Sequence, residues 1–215
     1  MCNLYSMTRS QVAILQATRA MIDRTGNLPP LPGIFPDYSA PIVRRNGRER
    51  ELAMARWGLP SPAFSLKSRS RDPGVTNVRN TTSPHWRRWL GPEYRCLVPW
   101  TAFAEPHPET RKPVWFALGE DTPLAFFAGV HVPGWTSVRK LKEGEITTDL
   151  FAILTSPPNS EVGAIHPKAM PAILPTEEDR EIWMHAPWDV ASTLQRPLSD
   201  GSLTVVAPPT MEPNS

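Results

Sequence analysis

Residues 96–106 read CLVPWTAFAEP. The stretch is almost wholly apolar until it reaches Glu105, and its apolar residues fall into two short runs, 96–99 and 102–105. Runs of this length, closed by proline, read as a pair of strands rather than a helix. A carboxylate at the end of such a run is partly desolvated, which raises its pKa. Outward from this pair, further short extended runs cover 40–45, 51–57, 114–118, 124–132, 150–155, 172–174 and 203–207. Proline makes up 26 of the 215 residues, more than twice the usual share of about 5%. So many prolines exclude a fold built on long helices.

A few helices remain. Thr8 with Gln11 reads as a capping box opening a helix over 9–23. Ser83–Pro84 and Gly91 bracket a short one over 84–90. Thr176 with Asp179 opens Glu177–His185, and Asp189 caps another through about residue 194. Residues 27–38, rich in proline and glycine, read as loop. The pattern predicts an α+β fold: a single β-rich domain over 1–207, followed by a tail over 208–215.

The bulk numbers set limits on function. No basic stretch followed by an apolar run opens the chain, so no signal peptide is expected. No segment has the roughly 18 apolar residues of a membrane helix. Two cysteines, Cys2 and Cys96, make no disulfide framework and point to a reducing, cytoplasmic setting. Net charge is only +2, yet the basic residues are unevenly spread. Between 66 and 95 stand Lys67, Arg69, Arg71, Arg79, Arg87, Arg88 and Arg95, against Asp72 and Glu93. Such local basicity suggests one face for an anionic ligand; the alternative is a solvated surface balanced by acidic neighbours.

Nucleotide-binding loops are missing, as are strand–G-x-G-x-x-G and H-E-x-x-H. The five histidines form no pair at metal-ligand spacing, so neither metal nor cofactor is expected. Cys2 is different. If Met1 is removed, Cys2 carries a free α-amine and a thiol on adjacent carbons, both partly nucleophilic at neutral pH. Such a 1,2-aminothiol condenses with an aldehyde and closes to a five-membered thiazolidine, given a proton acceptor and donor nearby. Three stretches supply candidates: VTNVRNT, with Asn77 and Arg79 on one face of an extended segment; the strand ending in Glu105; and AIHPKAMPAIL, with His166. Singly, each has a structural reading: Asn77 as a turn cap, Glu105 as an arginine partner, His166 as a satisfied structural histidine.

Taken together and in order, MCNLYS (1–6), APIV (40–43), RWGLP (56–60), TNVRN (76–80), CLVPWTAFAE (96–105) and AIHPKAMPAIL (164–174) resemble the SRAP family, the SOS-response-associated peptidase-like proteins. Those proteins recognise abasic sites in single-stranded DNA and crosslink to them. The resemblance implies a twisted, barrel-like antiparallel core with peripheral helices. It implies that Cys2 forms the thiazolidine, that Asn77 holds the terminus and the crosslink, that Glu105 shuttles protons, and that His166 serves in opening the sugar ring. Arg79 and Lys168 fall where the family contacts phosphates. Pro41, with Trp57 or Phe64, falls where it stacks or wedges flanking bases. The implied partner is abasic single-stranded DNA met by a monomer at the nucleoid, with peptidase activity toward Met1 and a lyase activity beside it. Asn3 and Leu4 stand where many members have Gly-Arg, and Arg9 is the candidate to replace that cation. Thr81 stands where the family often has Glu, and Lys168 lacks the arginine fork.

Two other readings fit the residues more loosely. One is a hydrolase with an N-terminal cysteine, of the amidotransferase type. The other is a single-stranded DNA-binding module without catalysis.

Overall fold

In a computed structural model of the chain, residues 2–67 and 69–210 are described. The last part of the tail expected from the sequence, 211–215, lies outside the described residues. In chain order, the first elements are β1 (Tyr5–Met7), α1 (Gln11–Thr18), β2 (Ile22–Asp23), β3 (Leu31–Ile34), β4 (Ser39–Asn46) and β5 (Glu49–Trp57). Then come α2 (Ala63–Leu66), β6 (Asn77–Val78), α3 (Pro84–Arg87), β7 (Arg95–Trp100), β8 (Ala102–Pro106), β9 (Pro113–Ala117), β10 (Ala125–Val138) and β11 (Glu145–Ser156). The chain continues with α4 (Ser160–Ile165), β12 (Met170–Pro171), α5 (Glu177–His185), α6 (Trp188–Ala191) and β13 (Thr204–Val206). This is the β-rich α+β architecture that the short runs predict.

Five strands close into a barrel. The ladder runs β4–β5, β5–β11, β11–β10, β10–β7 and back from β7 to β4. The ladder is antiparallel except at its seam, where β5 meets β11 in parallel at Leu150↔Arg56 and Phe151↔Trp57. Closure removes the exposed strand edges an open sheet would present. A second sheet, in the order β13–β9–β8–β1–β3, packs beside the barrel.

The stretch CLVPWTAFAEP spans both sheets. Its first half is β7 of the barrel; its second half is β8 of the other sheet, paired with β1 at Tyr5↔Phe103 and Ser6↔Ala102. The corner between them is pinned by Ser6, whose carbonyl accepts from Thr101 N–H at 2.8 Å and whose Oγ accepts from Ala102 N–H at 3.1 Å. The side chains on either side make the centre of the core. Trp100 stacks on Phe127 at 4.7 Å between centroids, and Tyr5 meets Trp57 edge-on at 5.1 Å. Aromatic pairs in these geometries add to the area they bury.

Several boundaries differ from expectation. The first helix spans Gln11–Thr18 instead of 9–23; Ser10 caps it, and Arg19 ends it at φ 53°. Residues 27–38 are not all loop, because Leu31–Ile34 pairs with β1. The helix over 84–90 shortens to Pro84–Arg87. At 172–174 the strand lies earlier, at Met170–Pro171, and Ile173 only bridges to Phe127. The helix after 188 begins beyond Pro187 instead of at an Asp189 cap. No helix among the described residues is long and apolar enough to cross a membrane.

Candidate active site

β1 and β8 bring the chain start to Glu105. Ala104 N–H donates to Leu4 O at 2.9 Å, and Cys2 Sγ donates to the same carbonyl at 3.6 Å. Cys2 is wholly buried. Burial, reinforced by the Glu105 charge, pushes its thiol far above the usual cysteine range.

Asn77 arrives from the barrel side. β6 pairs in parallel with β11 at Ile153↔Asn77, which fixes the residue beside a core strand. Its Nδ2 donates to Cys2 O and to Thr76 Oγ1, each at 2.8 Å, and Thr76 Oγ1 donates in turn to Asn3 Oδ1 at 3.2 Å. Asn77 Oδ1 is buried with no hydrogen-bond partner among the described residues. A buried acceptor left unmatched costs about 1–3 kcal/mol and is a ready place for a donor to dock.

Glu105 is fully buried on β8. Burial pushes its carboxyl up to about 7. Near neutrality the group therefore holds and releases a proton with comparable ease, as a general acid–base requires. His166 Nε2 lies 3.7 Å from Glu105 Oε2. The ring comes from the end of α4, whose start is capped by Asn159 Oδ1 accepting from Val162 N–H at 3.2 Å. Lys168 N–H donates to His166 Nδ1 at 3.4 Å. That contact makes Nδ1 the acceptor, so the tautomer assigned by the network carries its proton on Nε2, facing Glu105. Burial holds His166 below its usual value, aided by the Lys168 charge.

Two cations stand at the mouth. Arg79 and Lys168 are both exposed, and the Arg79 guanidinium donates to Lys168 O. Gln195, which the sequence did not single out, ties this rim together. Its Nε2 donates to Arg79 O at 2.8 Å and Thr155 O at 2.9 Å, and its Oε1 accepts from Thr81 at 3.1 Å. No motif signals it; only the return of the C-terminal segment to the barrel brings it there.

The structure thus gathers Cys2, Asn77, Glu105 and His166 around one point, with Arg79 and Lys168 beside it. It does not bring two of the expected stacking residues, Trp57 and Pro41, into the open. Trp57 is wholly buried, parallel to Phe151 at 6.3 Å, and its indole N–H donates to Thr76 O at 3.0 Å. Pro41 is buried within β4. Neither offers a face to a base, because both serve the barrel wall. Phe64 is 74% exposed on α2. Arg9, the candidate substitute for a cation at position 4, is bound to the carbonyls of Asp121 and Thr122. Among the described residues no group of three or more His, Cys, Asp or Glu could hold a metal ion.

No curated protein matches the chain. Among solved structures it is similar to a protein from Bacteroides thetaiotaomicron, with 21% identity, TM-score 0.68, and 94% of this chain and 90% of that one covered. It is also similar to a protein from Bordetella bronchiseptica, with 22% identity, TM-score 0.66, and coverage of 94% and 97%. A phage-related protein from the same organism gives 20% identity, TM-score 0.65, and coverage of 94% and 92%. At these identities the likeness is one of fold. The model of one family, SRAP (SOS response associated peptidase), matches residues 1–207, and the chain belongs to that family.

Proposed function

We propose that this protein senses abasic sites in single-stranded DNA and joins them covalently through Cys2 once Met1 is removed. SRAP membership associates the chain with the response to DNA damage. The observation that carries the finer reading is the Asn77 hydrogen bond to the Cys2 carbonyl beside a buried Glu105–His166 pair. A backbone carbonyl at position 2 is held where a proton donor and a proton acceptor already meet.

The chemistry balances without a cofactor. An abasic deoxyribose is in equilibrium between a ring hemiacetal and an open aldehyde, and His166 moves the proton that opens the ring. The Cys2 amine attacks the aldehyde carbon to give a carbinolamine. Glu105, in its acid form, protonates the hydroxyl, which leaves as water and yields an iminium ion beside the Glu105 carboxylate. The Cys2 sulfur then adds to the same carbon, and its proton returns to the Glu105 carboxylate, which restores the acid form and leaves the ring nitrogen with its N–H. One water is lost, and a C–N and a C–S bond are formed. Asn77 Oδ1 accepts from the ring N–H. Arg79 and Lys168 meet the flanking phosphates.

The test is incubation with uracil-containing single-stranded DNA treated with uracil glycosylase. A band that survives denaturation and disappears in Cys2→Ala is expected. Glutamine hydrolysis without a covalent band would favour the amidotransferase reading; a salt-sensitive shift alone would favour a binding module.

A further inference from the structure

Against Glu105 lies an apolar pocket of about 720 Å³, which His166 does not line. Asn3, Leu4, Phe35, Pro36, Pro106 and Arg111 are among its walls, and Glu105 itself is part of its lining. Leu4 and Phe35 converge over Gly33, where an added Cβ would lie 3.3 Å from the Phe35 ring and 3.7 Å from Leu4 Cδ1. Phe35 is 45% exposed and tilts against Tyr38 at 5.5 Å. Tyr38 is itself 54% exposed. Two neighbouring aromatic rings in solvent, beside a pocket that shares a residue with the acid–base pair, are unusual for a surface with no partner.

We propose that this pocket receives the nucleobase next to the abasic sugar, with Phe35 and Leu4 as its platform and Arg111 at the phosphate on that side. The inference rests on the function proposed above and adds a subsite to it. Three observations choose a base as the occupant. The pocket is continuous with the reaction site through Glu105 and Asn3. Its walls are apolar with a cation at the rim, which suits a flat base attached to a phosphate. Of the residues the sequence expects to stack, Trp57 and Pro41 are buried and Phe64, although exposed on α2, is not among the pocket's walls, whereas Phe35 is both exposed and part of them. In contact order the strand would meet Arg79 and Lys168, then His166 and Glu105, then the Phe35 pocket. A base beside an abasic position has lost a stacking neighbour, so it enters such a pocket with less stacking to give up. Leu4 then has a role of its own: the position is apolar because it faces a base.

The experiment uses single strands carrying a tetrahydrofuran abasic analogue, which has no aldehyde and cannot crosslink. 2-Aminopurine is placed on one side of the analogue in one strand and on the other side in a second. Binding should quench the fluorophore in one of the two strands. Replacing that base by a second tetrahydrofuran should weaken the Kd about tenfold. Phe35→Leu should lose both effects, and Phe35→Trp should keep them. A folded Phe35→Leu variant that quenches and binds like the unaltered chain overturns the proposal. Failure of either strand to bind also overturns it. Because no covalent step occurs in this assay, a missing Cys2 adduct would sink the proposed chemistry and leave the subsite standing. An adduct that forms with no dependence on Phe35 in binding would do the reverse.

Discussion

Glu105 concentrates the chemistry in one side chain. Its carboxyl ordinarily titrates near 4.5, and burial raises it to about 7. Between those values the folded chain keeps a proton that the unfolded chain gives up. Stability therefore falls as pH rises through that window and is level on either side of it. Glu105→Gln cannot ionise, so the variant should lack this decline. Urea titrations at pH 4.5 and 7.5 should show the unaltered chain losing on the order of 2–3 kcal/mol relative to Glu105→Gln. The same substitution should slow crosslinking by about 10²–10⁴-fold while leaving affinity for a tetrahydrofuran strand nearly unchanged. Equal loss of rate and affinity would make Glu105 a structural residue. At this scale the sequence was informative where chemistry needs a rare residue type. A cysteine behind the initiator, a carboxylate ending an apolar strand and a histidine before Pro-Lys all draw attention. Gln195 and Thr76 do not, because their importance comes from backbone carbonyls and hydroxyls that only the fold brings near.

Elements explain which boundaries could be read. The α5 helix matches its expectation, Glu177–His185, because its start is fixed locally: Thr176 Oγ1 accepts from Asp179 N–H at 3.0 Å while Thr176 N–H donates to Asp179 Oδ2 at 3.3 Å. A similar Thr8–Gln11 signal fails at α1 for a non-local reason. The Thr8 hydroxyl lies 3.2 Å from Thr101 Oγ1, and the Gln11 amide reaches Asp23 and Thr25. The cap passes to Ser10. α4, six residues long, escapes notice because it rests on one Asn159 cap and packing. Elements also hold the site through a buried arginine. Arg139, on the turn after β10, is fully buried; its Nε donates to Asp37 Oδ1 at 3.1 Å. Gly58 at φ +138° and Gly74 at φ +76° pack against its guanidinium, so an added Cβ would stand 2.3 and 2.2 Å from Nη2. No L side chain fits there. Gly74→Ala should displace the guanidinium, lower stability by about 2–4 kcal/mol, and loosen β6, which carries Asn77. Thermal unfolding would check the first effect. The second should appear as slower crosslinking in molecules that remain folded at low temperature.

Across the whole molecule, a barrel closed by one parallel seam supports a second sheet, and the candidate site lies where the two meet the chain start. The near-neutral net charge of +2 hides a local cationic rim, so electrostatics should act on DNA through few contacts. Arg79→Ala should lower affinity for single strands of any sequence and reduce the magnitude of the slope of log K against log salt by about 0.7–1. An unchanged slope would remove Arg79 from the phosphate contacts. The β-rich class was legible from many short apolar runs and abundant proline. The barrel-like core was legible only through the family resemblance, and its parallel seam was not legible at all, because β5 and β11 pair across some ninety residues of sequence. The most direct test of the whole scheme is intact-protein mass spectrometry after reaction with an abasic single strand. The predicted species is the chain without Met1 plus the strand minus one water, with the added mass mapped to residue 2. An adduct on chains that retain Met1, or one of equal yield in Cys2→Ala, would contradict it.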